Sequence, residues 1–466
     1  MEYFTQETGE ETFRFRNDVR EVTVADDVRE IPPCAFIGSE HLEEVHMPDG
    51  IGKIGFKAFM GCCGLRGVRL PEGVKVLSDR LFYGCKGMRY IELPKGLLRI
   101  EENAFQDCVS LSGIDLPEGL QEICGGAFVG CASLKQLVLP ASLRIIRGNP
   151  FATTYSNEIC SSIFVEDVPF YKISMDIVNK SPFFDLEDGV LYDKDHTRIV
   201  HCFKQIDEFR IPSTVTEINE MAFCGQYSLR RVVLHANVKK IGHGAFCGCP
   251  KLEDVVLSES LCNVNAMLFA GCVSLRHVVL PPVEAIGYRA FSGCKALEEI
   301  SLPQELCELG GSAFWCCERL KGIVLPDGIK KIEHGTFMLC TSLESVGFPE
   351  HLTEIADYAF RYCRNLHEVD FPETLEKIGV RAFMECSVLK AVHIPGNVRF
   401  IGCEAFYQCK NLMKLSFSKE ISRIEVEEAA FAGHFGLFWK ENDEGLGIPK
   451  NAYIANPSLD KFGFWD

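Results

Sequence analysis

The chain has 466 residues, with 48 Lys and Arg against 65 Asp and Glu, a net charge of −17, and a surface that acidic repels phosphate backbones and anionic headgroups. Binding to nucleic acid or to a membrane surface is therefore not expected. Apolar residues make up 47% and charged residues 24%, enough to bury a sizeable core, and no run approaches the roughly 18 apolar residues of a membrane span.

Residues 1–30 contain no apolar segment of the kind a secretory signal needs. Phe13, Phe15, Val22 and Val24 alternate there as short strands, which predicts an N-terminal cap. From residue 31 to 151 the chain repeats. A Phe, usually preceded by Ala, recurs at Phe36, Phe59, Phe82, Phe105, Phe128 and Phe151, always 23 residues apart. After a break the series resumes at Phe223 and runs through Phe246, Phe269, Phe291, Phe314, Phe337, Phe360, Phe383 and Phe406 to Phe431. The unit reads Leu320-x-x-Ile323-x-Leu325-Pro326, then Ile329-x-x-Ile332, then Thr336-Phe337, Cys340 and Leu343. Its first part alternates apolar and outward residues and ends at a proline that cannot donate to a ladder, which predicts a short strand. The second apolar pair predicts another extended segment, and Ala-Phe-x-x-Cys predicts a tight helical turn. One such unit cannot bury its apolar face alone, so the units must stack into a solenoid.

Residues 152–209 break the period and are expected to be an irregular insertion or degenerate repeats. Phe183 to Asp195, followed by Ile199, Val200 and His201, reads there as strands around a polar turn, and Asp185, Glu187, Asp188, Asp193 and Asp195 do not match a calcium loop. Repeats occupy 210–431, and residues 432–466 are expected to cap the last core layer.

Twelve of the 23 cysteines follow the repeat Phe by three residues, from Cys62 to Cys409. Rungs roughly 4.7–4.9 Å apart do not suit disulfides, so the ladder is expected to be reduced, buried and core-filling. Unpaired thiols favour a cytoplasmic location for the chain as given, with the cell surface or secretion as the alternative if a signal was trimmed. No Cys-x-x-Cys, His-Glu-x-x-His, Gly-x-Ser-x-Gly, Walker loop or Gly-x-Gly-x-x-Gly is present. The chain is accordingly expected to be no enzyme and to carry no cofactor and no metal. The paired histidines His41 with His46 and His196 with His201 are expected on the solvated surface.

With its 23-residue units spanning nearly all of its length, the sequence resembles the BspA-type leucine-rich repeat proteins, a bacterial surface-antigen class. The expected fold is an α/β repeat: a curved right-handed leucine-rich repeat solenoid of short parallel strands with tight helical turns. The resemblance implies non-enzymatic protein binding, often adhesion to host or matrix proteins, with an intracellular recognition module as the alternative. The partner is expected to be a protein of unknown identity. The outward residue of the first strand makes a lateral track, and at four of the five positions from 233 to 324 it is valine: Val233, Val256, Val279 and Val324. Arg231, Asp254, His277 and Glu299 should flank this strip on the same face. An apolar strip rimmed by charge suits a protein partner, although valine also suits an extended, half-exposed strand by propensity alone.

Overall fold

The computed structural model describes residues 2–4, 15–151, 175–418 and 423–433. It divides into two compact units, residues 1–205 with 214–225, and residues 206–213 with 226–466. Each is built from coils, most of which carry two short strands. In the first unit the outer strands Glu44–His46, Gly67–Arg69 and Tyr90–Glu92 are followed in each coil by the two-residue strands Lys53–Ile54, Val76–Leu77 and Arg99–Ile100. Neighbouring coils pair parallel at the repeat spacing, as in Gly67 with Tyr90 and Val76 with Arg99. The alternation does the sorting. Val68 and Ile54 point inward at 3% and 0% exposure, while Arg69 and Lys53 on the other face remain in water.

The repeat Phe rings fill the centre as a stack of near-parallel rings. Centroids are 5.0–6.4 Å apart from Phe36 to Phe151 in the first unit. In the second unit they are 5.0–5.9 Å apart from Phe246 to Phe431. A strand-paired coil rises about 4.8 Å, so these rings are slightly offset, the arrangement their quadrupoles prefer.

The expected helical turns are absent: among the described residues the coils contain strands and turns but no α-helix. The reason lies in where the amides go. Around Phe59, the N–H groups of Lys57, Phe59 and Gly61 donate to carbonyls of the next coil, on Asp79, Leu81 and Tyr83, at 2.8–3.0 Å. The intervening amides of Ala58, Met60 and Cys62 close three-residue turns onto Gly55, Lys57 and Phe59. Alternate amides are thus spent between coils, and none remains for a helical ladder. This geometry needs alternating handedness. At every repeat Phe except Phe151, the residues two before and two after have positive φ, as Lys57 (+56°) and Gly61 (+75°) do. Many of these residues are not glycine, although a left-handed conformation costs a non-glycine residue about 1–2 kcal/mol, so the intercoil hydrogen bonds override local preference.

Phe15 also departs from expectation. Instead of lying in a strand it takes φ +56° and donates its N–H to Ile37, the bond that Gly38 makes to Met60 one coil later. It belongs to the turn column. Val22 and Val24 do lie buried in a strand, Glu21–Val24. Residue Phe13, residues 152–174 of the expected break and residues 434–466 of the expected C-terminal cap lie outside the described residues.

After the break, Asp176–Asn179 pairs parallel with Gln136–Leu139, and a hairpin follows, with Phe184–Glu187 antiparallel to Val190–Asp193. Asp188 (+48°) and Gly189 (+82°) form its two-residue turn, the geometry that suits twisted strands. The next strand, Arg198–Cys202, returns to parallel pairing with Glu217–Ile218. His201, expected in solvent, is instead buried at 4% exposure. The repeat is broken here, so no periodicity reveals which way this residue faces. Asn149 Nδ2 lies 3.0 Å from His201 Nδ1 and donates also to the Glu220 carbonyl, while Asn149 Oδ1 accepts from Phe151. With the amide oriented this way, Nδ1 is the acceptor and the imidazole is neutral. His196 packs against Tyr192 with ring centroids 4.6 Å apart and reaches Asp185 at 3.2 Å, so it too is not freely solvated. No helix among the described residues is long and apolar enough to cross a membrane.

Two outcomes follow from this packing. Phe314→Ala, which empties a fully buried position inside the ring stack, is expected to cost about 3–5 kcal/mol by urea denaturation. Burial also lowers the His201 pKa from 6.5 to about 3, so below pH 6.5 the unfolded chain binds a proton that the folded chain refuses. Stability from this residue is present above pH 6.5 and is lost as pH falls toward 3. The stability advantage of wild type over His201→Phe should shrink by up to about 1.4 kcal/mol per pH unit in that window. A constant difference would mean that His201 is protonated in the fold.

Candidate functional site

The valine strip lies wholly within the second unit. Strands Glu208–Arg210, Arg231–Val233, Asp254–Val256 and His277–Val279 form one parallel sheet, and its register is set residue by residue: Val233 faces Val256, which faces Val279. Inner residues Val232 and Val255 are buried at 2% and 1%, which forces their neighbours on both sides outward. Arg231, Asp254 and His277 are therefore aligned in a second row on the same face. Val233 is 45% and Val279 59% exposed, and Val256 between them is half-buried.

The expected strip is not continuous. Residues 299–301 form no strand, and Ser301 separates Val279 from Val324. Glu299 is exposed on that intervening coil. Val324 belongs to a separate pair of strands, Gly322–Val324 and Ser345–Gly347. It is the most exposed of the four at 74% because Gly347 stands opposite it in register and offers no side chain to cover it. The geometry thus joins three valines and three polar residues, with Glu299 and Val324 on successive coils beyond.

In both units the ladder cysteines line the turn column. All described cysteines are free thiols. Eleven of the ladder thiols donate to the carbonyl of the Phe in the preceding coil, at 3.0–3.3 Å, as Cys340 does to Phe314. They do more than fill space, because each supplies a cross-coil hydrogen bond. Burial pushes the Cys340, Cys363 and Cys386 thiols up, so these three form little thiolate.

One cluster was not legible in the sequence. Glu21, Glu44 and His46 come together with donor atoms within 4.8 Å of one another. The signal available was the pair Glu44 and His46, two apart on a strand and so on one face, but Glu21 joins them only through the register of the preceding coil.

A family model described as BspA type leucine-rich repeat region (6 copies) matches the chain over five stretches, residues 6–98, 29–158, 200–321, 263–389 and 307–437. Among solved structures, a leucine-rich cell surface protein of Faecalibacterium prausnitzii A2-165 is 25% identical, with 72% of this chain and 74% of that chain covered and a TM-score of 0.46. A leucine-rich repeat protein of T. pallidum is 32% identical over 40% of this chain and 87% of that chain, with a TM-score of 0.36. One from Bacteroides ovatus ATCC 8483 is 22% identical over 86% and 92%, with a TM-score of 0.37. No curated protein matches the chain.

Thiol reactivity reports the ladder directly. In the native protein, Cys262 and Cys307, which are exposed, should react with a disulfide reagent within the mixing time, while Cys340 and its ladder neighbours react only on unfolding. Mapping the modified peptides by mass spectrometry checks this, and fast modification of Cys340 would contradict its burial.

Proposed function

The chain belongs to the BspA-type leucine-rich repeat family, and from that premise we propose that it is a non-enzymatic scaffold that binds a protein partner through the outer strand face of its second unit. What supports this reading is the in-register strip of Val233, Val256 and Val279, with Arg231, Asp254 and His277 aligned beside it. Strand propensity accounts for valine at these positions, but it does not require three valines aligned in register where two of them, Val233 and Val279, are 45% and 59% exposed. An apolar centre flanked by charge matches the anatomy of a protein interface, where the centre excludes water and the rim orients the partner. Val324 and Glu299 extend the surface by two coils.

The reading is an adhesion or recognition role at the cell surface. The expectation of a cytoplasmic location rested in part on vulnerable thiols, and the buried, hydrogen-bonded ladder thiols resist oxidation in either compartment. Labelling intact cells with a membrane-impermeant biotin reagent distinguishes the two: a native protein labelled only after lysis is intracellular, and the second reading, an intracellular recognition module, then replaces the first.

The binding surface is tested with the double variant Val256→Lys/Val279→Lys. Both side chains face outward, so thermal unfolding should change little, while partner capture from host matrix or from lysate should fall at least about tenfold because two unpaired ammonium groups enter an apolar contact. Unchanged capture of the same partner would remove this face from the interface.

A further inference from the structure

The outer strand face of the first unit carries a hollow of 330 Å³, lined among others by Glu44, His46, Asp49, Arg69, Tyr90 and Glu92. That volume is at the small end of the range of about 300–1,000 Å³ that holds ligands. Its shape depends on Gly67. Gly67 and Tyr90 are partners on adjacent parallel strands, and a Cβ at position 67 would lie 2.3 Å from Tyr90 Cζ and 2.5 and 2.6 Å from the two Cε atoms. The phenol end of the ring therefore lies face-on over bare glycine and forms one wall of the hollow, with Tyr90 still 58% exposed.

Charge around this wall is unbalanced. Glu21 and Glu44 face each other in register, a like-charge pair that destabilises adjacent strands unless something positive stands near. His46 Nε2 is 3.3 Å from Glu21 and 3.7 Å from Glu44. Arg69 lies 3.5 Å from Asp49 and 4.0 Å from Glu92. Four carboxylates thus surround one guanidinium and one imidazole, beside an aromatic face whose quadrupole also attracts cations.

We propose that this hollow receives a lysine or arginine side chain from a basic segment of a protein partner, with the alkyl stem against the Tyr90 ring and the cation between the carboxylates of Glu44 and Glu92. The site supplies what a long cationic side chain requires, an apolar surface for its stem and anionic groups at its head. It lies in the other unit from the valine strip, so its failure and the failure of that reading are separate results.

The test uses the full chain and fluorescence anisotropy with a fluorescein-labelled Gly-Lys-Gly-Lys-Gly-Lys-Gly peptide and its norleucine counterpart. Salt at about 0.15 M shortens the Debye length to about 8 Å and suppresses attraction to the net charge alone. The lysine peptide should bind and the norleucine peptide should not. Tyr90→Ala, and Gly67→Ala, which moves the ring and removes no charge, should each weaken binding about threefold to fivefold. Glu44→Gln with Glu92→Gln should weaken it about fivefold to tenfold. Glu259→Gln, an exposed carboxylate in the second unit, should leave it unchanged. Equal losses in Glu259→Gln and the hollow variants would show diffuse electrostatics and overturn the proposal. Equal binding of the norleucine peptide would overturn it too. So would calcium or zinc binding that displaces the peptide and disappears in Glu21→Gln, which would assign the cluster to a metal ion.

Discussion

The turn column around the repeat Phe sets the terms for everything else in each unit. Three amides per coil must meet three carbonyls of the next coil, and this fixes where each coil begins its return. The unit from Phe269 to Phe291 shows how strict that is, because it has 22 residues instead of 23. The missing residue is absorbed between the two strands, where Val283 bonds back to Pro281 over two residues in place of the three-residue turn from Leu261 to Ser258 in the coil before. The Phe269–Phe291 contact stays at 5.6 Å and the strands stay in register on both sides. A burial term of about 1.5–3 kcal/mol per Phe then accrues at each coil, but only if the backbone column has already placed the rings.

Much of this was legible in the sequence because it is periodic. The Phe, Leu and Cys positions recur with one spacing, and any residue type that recurs with the coil must face the same way in every coil. Register followed from the same fact, so the alignment of Val233, Val256 and Val279 could be read directly. What could not be read were features that depend on a non-local partner. Ala-Phe-x-x-Cys has the local pattern of a helical turn, and only the neighbouring coil's carbonyls draw its amides away. His201 lies where the period fails, so no neighbour in sequence reveals its burial. The hollow in the first unit needs the absence of a side chain at Gly67 and the ring of Tyr90 one coil later, and neither residue is notable alone.

The division of labour along each outer strand explains how such a scaffold acquires specificity. Inward residues such as Val68, Val232 and Val255 are held by the core, while the residues flanking them lie outside it. They differ from coil to coil: the track reads His46, Arg69 and Glu92 in the first unit and Val233, Val256 and Val279 in the second. The same backbone thus presents a polar track along these coils of the first unit and an apolar one along these coils of the second.

The amide column has a direction. In the turns, N–H groups point toward the following coil, whereas beside the second strands they point to the preceding one, as Gly55 donates to Ile31 and Glu101 to Leu77. The two columns oppose each other, so a coil has distinguishable front and back faces that are complementary to one another. Whole 23-residue blocks can therefore be duplicated or lost in tandem with the hydrogen-bond pattern preserved. Lengthening by insertion of coils is thus open to this architecture.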